Sequence, residues 1–104
     1  MKVFPISHTL DSNGNGSIQF IARKASIEVI MHKITVEMDT TSSGRVNLYK
    51  NGAFQTSMPV SSKMEAYGPE SLHTSEYLTG EIVNGPVNTL VSWNFYYDER
   101  PTTP

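Results

Sequence analysis

The chain has 104 residues, a formal charge of −2 and no cysteine. That length holds one modest core, with little room for a second domain or a deep cleft. No basic run exists to grip nucleic acid or anionic lipid, and the lack of thiols removes disulfides, thiolate catalysis and Cys-zinc sites. Apolar residues make up 38% and charged residues 17%, so uncharged polar residues fill much of the chain. Such a mixture suits exposed sheet faces and turns better than solvated helices.

The opening MKVFPISHTLD meets polar residues by Ser7, too early for the apolar run of a signal peptide. No later run approaches the roughly 18 apolar residues of a membrane helix. Val3 to Ser7 reads as a short edge strand, because Pro5 has no amide to donate. DSNGNGS, residues 11 to 17, is a loop, and Ile18 to Arg23 is a second strand. In ASIEVIMHKITVEMD the apolar residues alternate on odd positions (Ile27, Val29, Met31) and then on even ones (Ile34, Val36, Met38). A slip of one residue turns every side chain to the other face, so a bulge or a switch of sheet is expected at His32-Lys33.

TTSSG, residues 40 to 44, is the next loop, followed by strands Arg45 to Lys50 and Ala53 to Met58. Two registers compete for this hairpin. A two-residue Asn51-Gly52 turn sets Tyr49 opposite Phe54. A three-residue Lys50-Asn51-Gly52 loop gathers Val46, Leu48, Phe54 and Met58 on one apolar face, and is preferred on that pattern, with Gly52 in the left-handed region. Gly68-Pro69 marks a loop, Tyr77 to Val83 a strand and Asn84-Gly85-Pro86 a turn. From Val87 to Tyr97 the alternation is strict, with Trp93, Phe95 and Tyr97 on the core face and Tyr96 on the other. The expectation is a single all-β domain over residues 1–104 with short terminal tails, a β-sandwich of jelly-roll or immunoglobulin-like layout with about seven or eight strands.

Chemistry-bearing motifs are sparse. Asp11, Asn13, Asn15 and Gly16 match the first half of a calcium loop, D-x-N-x-N-G, but the twelfth position is Ala22, where a bidentate Glu is needed. Asp11, Asn13 and Asn15 are the weak metal candidates, and a polar strand connection is the favoured reading. His8, His32 and His73 have no ligand spacing. No G-x-S-x-G elbow occurs, and the neighbouring carboxylates Glu37 with Asp39 and Asp98 with Glu99 read as solvated surface. No catalytic residue and no cofactor is expected. Tyr49, Tyr67 and Tyr96 lie outside the core stripe and are candidate partner contacts, joined by Lys50 and Asn51 at the hairpin tip.

ITVEMDTTSSG, the hairpin VNLYKNGAF, the Gly-Pro of AYGPE and the final WNFYYDE together resemble a family of small proteins encoded among the structural genes of tailed bacteriophages of actinobacteria. The likeness spans Ile34 to Glu99, about two thirds of the chain. TGE, residues 79 to 81, stands where relatives often show a Pro-Gly-Asp turn. The resemblance implies a small β-sandwich made in the host cytoplasm and carried on the virion. It implies no enzymatic activity, and head decoration by contact with capsid or tail proteins as an oligomer. The alternative expectation is a carbohydrate-binding or adhesin module, motivated by the exposed tyrosines and the Asn-rich loops.

Overall fold

The alternating segments become strands. The computed structural model describes residues 1–39 and 43–102, and in it the strands are β1 (Lys2–Thr9), β2 (Gly16–Ile21), β3 (Ile27–Met38), β4 (Arg45–Lys50), β5 (Ala53–Pro59), β6 (Lys63–Leu72), β7 (Tyr77–Val83) and β8 (Leu90–Pro101). They form two four-stranded antiparallel sheets, ordered β1-β8-β3-β6 and β2-β7-β4-β5. Four pairings join first to last: β1 with β8, β2 with β7, β3 with β6 and β4 with β5. The chain is one long hairpin wrapped on itself. Of the two expected layouts it takes the jelly roll.

Both sheets turn an apolar row inward, as period-two side chains require. Val91, Trp93 and Phe95 of β8 are fully buried at the centre. Met31, Ile34 and Val36 flank them in the same sheet, and Phe20, Val46, Leu48, Leu78 and Ile82 close the core from the other. Phe20 ties the layers together, with its ring 5.2 Å from Phe95 and 5.6 Å from Phe4.

The phase change in β3 is a bulge. Met31 faces Tyr97 and Lys33 faces Tyr96, so His32 is the extra residue and the apolar row stays inside on both sides of it. Across β3 from β8, Met31 faces Glu70 and Lys33 faces Tyr67. Gly68 and Pro69, expected as a loop, therefore lie within β6. That strand is at an edge, where a missing amide donor is tolerated. The TGE segment is likewise inside β7. Val87 and Thr89, expected in the last strand, precede it: Asn88 takes a φ of 54° and donates its amide to Asp11 O, which bends the chain before Leu90. Of the TTSSG loop, Thr40 to Ser42 lie outside the described residues, as do Thr103 and Pro104 of the tail.

The hairpin corrects the preferred register. Lys50 pairs with Ala53 and Tyr49 with Phe54, so the turn has two residues, and Asn51 and Gly52 both have positive φ, 51° and 82°. That is the type I′ turn, whose twist matches the strands. Further on Leu48 pairs with Thr56 and Val46 with Met58, so Gln55 is an extra residue. A bulge thus restores the inward phase of Met58 while Phe54 stays outside. Matching apolar residues alone favoured the three-residue loop because it needed no bulge.

His8 of β1 completes the core's polar accounting. The buried Trp93 indole donates from Nε1 to His8 Nε2 at 2.9 Å, so that nitrogen carries no proton. Burial lowers the His8 pKa from the ordinary 6.5. Below that value the unfolded chain takes up a proton that the folded chain refuses, so this contribution is full above about pH 6.5 and is lost as pH falls through the folded pKa. Several carboxylates add a loss in the same direction at lower pH. Arg100 holds Glu28, Lys2 holds Glu99 and His32 holds Asp98 below the usual carboxylate range. Tryptophan-fluorescence melts should show Tm falling in two stages, first as pH drops below about 6.5 and again as it drops through the carboxylate range. His8→Gln keeps an acceptor and should remove the first stage alone. A Tm unchanged through the first stage would show that His8 is not buried as described.

Candidate functional site

The outer face of β2-β7-β4-β5 carries a cluster of polar and aromatic side chains. Cross-strand register sets Asn47 of β4 opposite Glu81 of β7, and Tyr49 opposite Thr79. Asn47 Nδ2 and the Tyr49 hydroxyl both donate to Glu81 Oε1, at 3.1 and 3.0 Å. The bond to Glu81 raises the Tyr49 pKa, so the phenol remains a donor through the neutral range. Phe54 stands beside it on β5, its ring 6.0 Å from Tyr49 and near perpendicular at 74°, and is 60% exposed. One row along, Arg45 Nε donates to Ser57 Oγ at 3.0 Å.

The hairpin residues singled out by sequence divide between three tasks. Tyr49 joins the Glu81 cluster. Lys50 leaves it and pairs with Glu70 of the other sheet at 2.8 Å. Asn51 braces the tip from within: Nδ2 donates to Glu76 at 2.9 Å and Oδ1 accepts the Tyr77 amide at 2.9 Å. Tyr96 is on the opposite sheet, with Lys33 Nζ 4.6 Å from its ring centre. Tyr67 is on β6 in register with Lys33, and its side chain is outside the described residues. These five residues do not converge on one site.

The outer face of β1 and β8 has a different character. Its cross-strand pairs are Val3 with Tyr96, Pro5 with Asn94, Ser7 with Ser92 and Thr9 with Leu90. None of these eight side chains carries a charge at neutral pH, and the strip ends in exposed apolar groups, Val3 at 49% and Leu90 at 59%. Charges border the strip on β3, where Lys33 lies over the Tyr96 ring and Glu37 is in register with Ser92, and resume along β8 at Asp98, which bonds His32, and at Glu99, which pairs with Lys2 and Lys24.

The DSNGNGS loop spends its oxygens on the backbone. Asp11 Oδ1 accepts the amides of Asn13 and Asn15 at 2.8 and 2.9 Å, which lowers its pKa, and Asn15 Oδ1 accepts the Asn84 amide at 2.9 Å. These bonds pin the loop to the β7–β8 turn. Among the described residues no group of three or more His, Asp or Glu side chains stands close enough to hold a metal ion. His8, His32 and His73 lie apart, meeting Trp93, Asp98 and Glu28 respectively.

Sequence reasoning missed the outward Phe54 and the Asn47–Glu81 pair. The Asn-Gly dipeptide carried the signal for the first, since a type I′ turn places Phe54 opposite Tyr49. The second depends on a β4–β7 register that no local pattern specifies. Comparison with family models, curated proteins and solved structures found no match for this chain.

Proposed function

We propose that this chain is a non-enzymatic structural protein of a bacteriophage virion, a head decoration protein that seats on the particle through the outer strip of β1 and β8. The strip supports the reading most directly. Its four cross-strand pairs are uncharged and its ends are apolar, so a partner covering them desolvates no charge within the strip and meets Lys33 and Glu37 only at its β3 border. β1 is also an edge strand, and seating on a shell would shield its unpaired backbone groups. The chain's weak net charge favours protein neighbours over nucleic acid. In this reading the protein is made in the host cytoplasm, joins capsid or tail proteins, and associates with copies of itself on the particle.

The experiment is addition of purified protein to particles of the encoding phage that lack it, followed by sedimentation. The parent protein should co-sediment. Ser92→Lys and Leu90→Glu, each placing a charge on the exposed strip, should remain in the supernatant while keeping the parent Tm. Absence of the protein from complete virions would overturn the proposal, and so would unchanged co-sedimentation of both variants.

A further inference from the structure

Phe54 stands on the outer face, away from the core. Beneath β5 lies an apolar slot of about 100 Å³, lined by Met31, Ile34, Leu48 and Leu78 and bordered by Gln55 and Thr56. In the bulge-free register the Phe54 ring would face inward on the same side as Leu48. Instead the hairpin takes a two-residue turn and a bulge at Gln55, which interrupts the ladder and leaves the ring 60% exposed. Bulges commonly re-aim a side chain, and this one returns Met58 to the inner face while it leaves Phe54 standing outward against Tyr49.

What surrounds the re-aimed ring defines the ligand. Tyr49 stands against it edge to face, so two aromatic surfaces meet at a corner. At the hydroxyl end of Tyr49, Glu81 takes both of its bonds from described residues on Oε1, with Oε2 left as an acceptor, and the half-buried Asn47 amide has its carbonyl beside them. Gln19 and Thr79 extend the same row as Tyr49 and Phe54. We propose that this corner binds a neutral saccharide on the outer face of β2-β7-β4-β5. A pyranose offers an apolar C–H face for an aromatic ring and a rim of hydroxyls for a carboxylate and an amide, which the corner supplies side by side. The Glu81 carboxylate disfavours acidic sugars by like charge. Tyr49 is held as a protonated donor by that same carboxylate, so its bond fixes the Glu81 side chain before any ligand arrives.

The site is on the opposite sheet from the docking strip, and its test is independent of that reading. The intact protein is applied to an array of neutral and acidic glycans, and the best neutral oligosaccharide is titrated by calorimetry. Phe54→Ala and Glu81→Gln should each weaken binding by about tenfold or more. Tyr96→Ala, on the other sheet, should leave it unchanged. Thermal melts of each variant separate a lost contact from a lost fold, and the exposure of Phe54 makes its alanine variant the safer of the two. Retention of acidic glycans only, no retention of any glycan, or an affinity unchanged from the parent in both variants would each overturn the proposal.

Discussion

Trp93→Ala should cost about 3–5 kcal/mol, a large share of the roughly 5–15 kcal/mol that holds a domain of this size. Trp93 is fully buried at the centre of β8, with Phe95 stacked 6.4 Å from it at 10°. Removing the indole opens a cavity between the sheets that neighbours on fixed strands cannot fill. It also takes the donor away from His8 Nε2 in a half-buried position. Thermal unfolding should shift down by roughly 15–25 °C at pH 7. Trp93→Phe retains part of the volume and should cost about half as much. A shift of under about 5 °C for the alanine variant would mean that the packing around β8 is not the core described.

Much of this core was legible because alternation is a local signal. Val91, Trp93 and Phe95 face inward as their spacing implies, and the slip at His32 is visible in the sequence since both halves of β3 have strict alternation. Pro5 likewise announces an edge strand, and β1 is one. The hairpin was not legible by the same logic. Counting apolar matches favours a register without a bulge, yet the twist of the two-residue turn prevailed and the bulge absorbed the difference. Gly68-Pro69 failed for a related reason. Their chemistry ends an interior strand but is tolerated at an edge, and nothing local says that β6 is the edge. The Asn47–Glu81–Tyr49 cluster joins residues more than thirty positions apart. Its assembly follows from the wrapping of the long hairpin, a property of sheet order that periodicity does not encode.

Gly80 shows how such a non-local constraint can be tested. It sits in the middle of β7, paired with Ile18 on one side and Leu48 on the other, where a glycine has no local reason to be. The reason is across the sandwich: a Cβ at this position would lie 2.5 Å from Cη2 and Cζ3 of the Trp93 ring. That ring is fully buried and cannot swing aside. Gly80→Ala should therefore cost about 1–3 kcal/mol, and Gly80→Val more, although both residues have better strand propensity than glycine. Combining the change with Trp93→Phe discriminates between causes. A phenyl ring lacks the reach of the indole's far edge, so in that background Gly80→Ala should cost much less, with a favourable coupling of about 1–2 kcal/mol in a double-mutant cycle from urea unfolding. Additive costs would mean that the two residues do not touch, and the close approach of the sheets at this point would have to be abandoned. A favourable coupling would establish from solution data that Gly80 exists to admit Trp93.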